Sequence, residues 1–131
     1  MLSNFSCSNS NFDIIIVGGG TSGIASAIQS SRLGSKTLLI EESTWLGGMI
    51  TSAGVSAMDG NYKMPSGFLK EFRDSLVSHY GHLDSLKTGW VSNLMFEPSV
   101  GNRILKDIAE SEKNLKILYG TTIEEVVKDE K

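Results

Sequence analysis

The chain is poor in cysteine, proline and basic charge, and each shortage removes a class of protein. Cys7 is its only cysteine, which excludes an intrachain disulfide and a thiolate metal cluster. Cys7 sits in the polar stretch Ser3 to Asn11, which has no Lys, no Arg and no apolar run. That stretch is not a secretory signal, and residues 1–12 read as a flexible N-terminal tail carrying a free thiol. So little cysteine favours a reducing compartment, and a cytoplasmic location is expected. Two prolines, and 14 glycines without a repeat, exclude collagen. Charged residues at 21% against 40% hydrophobic exclude charge-driven disorder. Lys and Arg number 12 against 15 Asp and Glu, and no basic stripe is visible, so a nucleic-acid partner is not expected. The longest aliphatic run, Ile14 to Val17, is far too short to cross a bilayer, so no membrane partner is expected either. With 131 residues the chain is one domain or part of a larger one.

What is present begins with Asp13-Ile-Ile-Ile-Val17, a continuous β-branched run that suits a strand covered on both faces. It ends in Gly18-Gly-Gly20-Thr-Ser-Gly23. A helix is expected from Thr21 to Leu33, with Gly34 as its terminating glycine. Lys36 to Ile40 reads as a second buried strand, closed by Glu41 and Glu42. Strand, glycine turn, helix and strand within about 30 residues make a right-handed βαβ crossover. Ser43 to Gly67 reads mostly as loop. A second helix fits Gly67 to Tyr80, where Phe68, Phe72, Leu76 and Tyr80 recur every four residues, Ser66 can cap and Gly81 can terminate. Trp90 to Phe96 reads as a short strand. A third helix fits Pro98 to Ser111, with Val100, Ile104 and Ile108 as its stripe. Leu115 to Tyr119 reads as a third strand and Ile123 to Val127 as a fourth, with Asp129 to Lys131 starting a turn.

Gly18, Gly20 and Gly23 match G-x-G-x-x-G, and each has its own mechanical task. Gly18 permits the tight exit from the strand, Gly20 lets a pyrophosphate approach bare backbone, and Gly23 lets helix and strand pack closely. The helix start then offers free N–H groups and a partial positive charge to phosphate, so no cationic side chain is required. Glu41 stands 18 positions after Gly23, at the end of the second strand, where a carboxylate can accept hydrogen bonds from ribose hydroxyls. Strand, turn, helix and acid together point to dinucleotide binding. Glu41 followed by Glu42 disfavours a 2′-phosphate and hence NADP, while FAD and NAD share the ribose diol.

Trp45-Leu-Gly-Gly-Met49 follows the acid almost at once, and a second glycine pair there can bring backbone to the far side of a long dinucleotide. With these segments the sequence resembles FAD-dependent oxidoreductases that carry a glutathione-reductase-type FAD/NAD(P)-binding domain. The likeness rests on Asp13 to Gly23, Glu41 and Leu46 to Met49, with Ile50 to Gly54 and Phe96-Glu-Pro98 also similar. It implies a Rossmann-like α/β fold with a parallel sheet, present here in part: the N-terminal βαβ unit, a helical insertion and a third strand, over residues 13–131. It implies FAD as cofactor. Gly18, Gly20 and Gly23 would hold the pyrophosphate, and Glu41 the adenosine ribose. Gly47 and Gly48 would pass close to the pyrophosphate or ribityl chain, Met49 and Thr51 would lie toward the flavin ring, and Ile123 would offer backbone to the adenine. The late Gly-Asp segment that closes over the flavin in that family is not found, and neither catalytic residues nor substrate can be assigned.

Other side chains read as structural. His79 and His82 sit near a helix end, where a His favours the dipole, and two His with one distant Cys give no metal-ligand spacing. Asp59-Gly-Asn-Tyr62 reads as a turn rather than a calcium loop. Trp45, Trp90, Phe68, Phe72 and Tyr80 read as core, and Ser22 lacks the partner His a hydrolase needs. The function expected is the FAD-binding N-terminal part of a flavin-dependent oxidoreductase. An NAD-binding dehydrogenase domain and a non-catalytic, truncated nucleotide-binding remnant stand as rivals. The first strand has the composition of a central strand, yet strands for its far side are not in the sequence, and an apolar open edge invites association. Weak flavin retention and self-association are therefore expected. Gel filtration with absorbance detection tests this: a monodisperse monomer carrying stoichiometric FAD contradicts it.

Overall fold

A computed structural model describes residues 11–60 and 62–128. The tail with Cys7, Asn61 in the Asp59 to Tyr62 turn, and the turn at Asp129 to Lys131 lie outside the described residues. Three strands, β1 (Ile14–Val17), β2 (Thr37–Ile40) and β3 (Leu115–Leu118), form one parallel sheet in the order β1-β2-β3. Its register runs from Ile14 beside Thr37 to Val17 beside Ile40, and from Thr37 beside Leu115 to Ile40 beside Leu118. Helix α1 (Thr21–Arg32) makes the crossover from β1 to β2. Helices α2 (Gly67–Tyr80) and α3 (Pro98–Glu110) lie between β2 and β3 in the chain, with short 3₁₀ turns at Gly48–Ile50 and Leu83–Leu86. The Rossmann-like α/β architecture is thus present as an incomplete sheet. No described helix is long and apolar enough to cross a membrane.

The core lies on the helix side of the sheet. Ile24, Ala27 and Ile28 of α1 meet Leu39 of β2, Phe72 and Leu76 of α2, and Ile104, Leu105 and Ala109 of α3. Phe72 and Phe96 stack edge to face at 5.4 Å, fastening α2 to the approach of α3. Arg32, at the end of α1, forks onto Glu71 of α2 at 2.7 and 2.8 Å and reaches Glu112 beyond α3 at 2.6 Å. That guanidinium holds the Glu71 carboxyl below its ordinary range.

Five expectations need correction. β1 is covered on one face only: Ile16 packs on the core, while Ile15 and Val17 are 57% and 60% exposed. No strand forms over Trp90 to Phe96. There the Ser92 hydroxyl donates to the Met58 carbonyl and accepts from Leu94 N–H, a local turn that competes with a ladder and leaves a lone bridge between Ala57 and Met95. Trp90 is not core but 97% exposed. No fourth strand forms at Ile123 to Val127, because no described strand lies alongside to satisfy its amides. The buried face of α3 is Gly101, Ile104, Leu105 and Ala109, with Val100 and Ile108 only half-buried. On that face Gly101 packs directly on the Phe96 ring, which a Cβ there would approach to 2.6 Å.

The turn out of β1 is shaped by two of its glycines for different reasons. Gly18 has φ +91°, a backbone conformation that L side chains rarely adopt. At Gly23 the constraint is contact: a Cβ would lie 1.9 Å from the Gly18 carbonyl oxygen, which is backbone and cannot swing aside. Gly23→Ala is therefore expected to cost about 3 kcal/mol or more by overpacking. Gly20→Ala, whose Cβ would meet nothing within 4 Å, should cost far less. Thermal unfolding followed by circular dichroism decides, and equal losses in the two variants would contradict this account of the turn.

Candidate functional site

Gly20 is the N-cap of α1, with extended backbone, no side-chain cap and no acidic residue in the first turn. The N–H groups of Gly20, Ser22 and Gly23 have no acceptor among the described residues, while that of Thr21 faces the Gly47 carbonyl in the bridge between Gly20 and Gly47. Three free donors lie at the positive end of the helix dipole, the arrangement that receives a phosphate. Gly20 faces open space there, so bare backbone is what a ligand would meet.

The second glycine pair lies directly against this turn. Gly47 N–H donates to the Gly19 carbonyl at 2.8 Å, and the Thr21 hydroxyl donates to the Gly47 carbonyl at 3.0 Å. Gly20 and Gly47 form a parallel bridge, and a Cβ on Gly48 would stand 3.1 Å from the Gly20 Cα. The site residues expected at 18–23 and 47–48 are thus brought together.

Glu41 is the electrostatic centre. Its residue is 8% exposed, and both carboxylate oxygens are gripped by backbone: Oε2 accepts from Gly19 N–H at 2.6 Å and Oε1 from Ser43 N–H at 2.8 Å. Burial is the largest influence and opposes the charge, but hydrogen bonding by Ser43 and Gly19 outweighs it and holds the carboxyl below its ordinary value. A carboxylate has about four acceptor directions, so capacity remains for hydroxyl donors. Burial likewise pushes the neighbouring Tyr119 phenol up to about 12, with Glu110 and Glu41 adding to the effect, and its hydroxyl has no partner among the described residues.

Two cavities flank the turn. One of about 280 Å³ is lined by Val17, Gly18, Ile40, Glu41, Glu42, Thr121, Thr122 and Ile123, so Gly18, Glu41 and Ile123 share one hollow. Its far wall is pinned by Thr121 N–H donating to the Glu41 carbonyl at 3.1 Å. The other, of about 650 Å³, takes Gly20, Thr21 and Ser22 from α1 and Met49 and Ile50 from the turn after Gly48. Met49 is 64% exposed at its rim. Thr51 does not line this cavity: it is 1% exposed, its hydroxyl donates to the Leu46 carbonyl and its side chain packs against Gly47.

Three contributors went unread in the sequence. A Cβ at Gly19 would stand 2.8 Å from Leu46 Cδ2 and 3.1 Å from Glu41 Oε2, so the middle glycine of Gly18 to Gly20 makes room for the acid. The run of three glycines was the available signal. Thr121 acts through its backbone amide, for which side-chain identity carries no signal, and Ser43 meets Glu41 with its amide while its hydroxyl adds to the lowering of that carboxyl. His79 Nδ1 accepts from the Arg103 guanidinium at 3.1 Å, and His82 Nδ1 accepts from Asp84 N–H at 3.1 Å. No cluster of three or more metal-ligating side chains exists among the described residues.

The chain is similar in fold to THI4 of Thermovibrio ammonificans, at 17% identity and a TM-score of 0.53, over 89% of this chain and 41% of that one. It is also similar to the p-nitrophenol 4-monooxygenase PnpA of Pseudomonas putida, at 13% identity and a TM-score of 0.51, over 88% of this chain and 33% of that one. The chain therefore spans less than half the length of either. The profile of the family described as FAD dependent oxidoreductase matches residues 13–131, from the start of the glycine-turn strand onward. With the helix-start amides, the gripped acid and the paired glycine segments in place, the chain belongs to that FAD dependent oxidoreductase family.

Proposed function

We propose that the chain binds FAD and serves as the nucleotide-holding part of a flavin-dependent oxidoreductase. The observation that carries this reading is the set of free amides at Gly20, Ser22 and Gly23, with a cavity on either side of them. A dinucleotide whose diphosphate lies across the helix start has its adenosine half in the smaller hollow and its other half along the Met49 rim of the larger one, whose floor it leaves open. Family membership supports FAD as that dinucleotide.

The residues fit such a group. The free amides of Gly20, Ser22 and Gly23 hold the diphosphate, and Gly47 and Gly48 bring a second stretch of backbone beside it. Glu41 takes the adenosine ribose in the smaller hollow, where Ile123 faces the adenine. Met49 lies toward the flavin half. Glu41 and Glu42 line the same hollow, so a 2′-phosphate would meet two carboxylates, which supports FAD over NADP there. When bound, the isoalloxazine supplies hydride and electron transfer, and the protein supplies position and electrostatics. A cytoplasmic setting is part of the same proposal, as is association of further polypeptide along the open edge of β1.

Titration with FAD, followed by the change in flavin absorbance, tests the reading. Saturable binding is expected, and Glu41→Ala should weaken it by about 1–3 kcal/mol, the value of a charged hydrogen bond to ribose. Because folding lowers the Glu41 carboxyl pKa, its contribution is full above the ordinary glutamate value and lost as pH falls through the depressed one, and affinity should drop in that acidic range. NADH binding without FAD binding, or unchanged FAD affinity in a folded Glu41→Ala, would contradict the proposal.

A further inference from the structure

The larger cavity has a chemistry that the diphosphate cradle does not use. Its walls come from α1, the Gly48–Ile50 turn, Met58, α2 and α3. Phe72 and Leu105 at 1% exposure and Ile50 at 9% form a closed floor, and Phe68 and Leu69 are half-buried walls. A floored hollow of about 650 Å³ suits a small molecule of a few rings, whereas a polypeptide partner more often meets a flatter face.

No ionisable side chain among the described residues lines it. The polar groups are the Thr21 and Ser22 hydroxyls and the backbone at the start of α1. Thr21 is already committed to the Gly47 carbonyl. The amide end is the only part that favours charge, and in the proposed reading it faces a diphosphate. A charged guest would lose its hydration and find no partner, a large cost, whereas an apolar guest would gain by burial against two methionines and two phenylalanines.

The geometry points to this cavity as the substrate pocket of the flavin site, selective for an uncharged, largely apolar ring compound carrying at most one hydrogen-bonding oxygen within reach of the Ser22 hydroxyl. The inference rests on the proposed FAD binding. Continuity with that site argues for a substrate rather than a remote ligand, since Gly20 and Ser22 belong to both, and Met49 stands at the rim toward the flavin half.

The probes are 1-naphthol, 1-naphthoate and 1-naphthylmethylammonium, titrated calorimetrically into protein held at saturating FAD. The expected result is saturable binding of 1-naphthol, with each charged analogue at least about tenfold weaker. Leu69→Asp, which puts a carboxylate in the wall, and Ala25→Leu, which fills the hollow, should each abolish 1-naphthol binding while the FAD absorbance titration stays unchanged. Equal binding of a charged analogue overturns the inference. So does 1-naphthol binding that survives both variants, or that occurs only without FAD, which would make the hollow the flavin's own. Loss of concentration-dependent dimerisation in both variants would make it a protein contact instead and also overturns it. Failure of the FAD titration itself refutes the underlying reading and is seen separately.

Discussion

The hydrogen bond from Gly19 N–H to the Glu41 carboxylate, 2.6 Å long, joins the exit of β1 to the exit of β2. Much of the site follows from it. It needs a residue without a Cβ at position 19, since any side chain there would press on Leu46 and on the acid itself. It needs β1 and β2 in parallel register, so that both strands end at the same level. With Gly19 turned toward the acid, the next amides, from Gly20 onward, are left for the helix start. Hydrogen bonding by Ser43, with a smaller part from this bond, keeps the carboxylate ionised inside a nearly closed environment, where burial alone would favour its neutral form.

Around that bond the molecule is arranged as a division of labour among glycines. Gly18 supplies a conformation, Gly19 supplies room for an acid, Gly20 supplies bare backbone, and Gly23 supplies close helix packing. Gly47 and Gly48 repeat the device from a different part of the chain, and Leu105 of α3 closes on Gly47 from behind. Phosphate affinity built this way needs no cation, which is consistent with a turn that carries no Lys or Arg and a chain whose net charge is −3.

The βαβ unit was legible because its signals are local: a β-branched run, a glycine turn, small residues at helical spacing and an acid at the next strand end. The helices α2 and α3 were legible for the same reason, down to Pro98 at the first helical position and Gly81 past the end. What failed depended on partners far along the chain. Trp90 to Phe96 has strand composition, but its pairing stops at the single bridge between Ala57 and Met95, with the Ser92 hydroxyl tied to the Met58 carbonyl. Val126 and Val127 have strand composition too, and stay 80% and 78% exposed where no described strand adjoins them. The packing of Gly101 on the Phe96 ring joins α3 to its preceding loop, and the Arg32 fork to Glu71 and Glu112 spans segments that no sequence window contains together. In the site, side-chain roles were readable and backbone roles were not: Glu41 announced itself, whereas the Ser43 amide that completes its grip did not.

The central claim is that the amides opening α1 are the place where a diphosphate settles. A titration of ¹⁵N-labelled protein with FAD, followed amide by amide in ¹H–¹⁵N spectra, tests it most directly. The account predicts that the largest shifts fall on Gly20, Ser22 and Gly23, with smaller ones at Gly47, Gly48 and Thr122. Saturable FAD binding that leaves those three amides unmoved would contradict it.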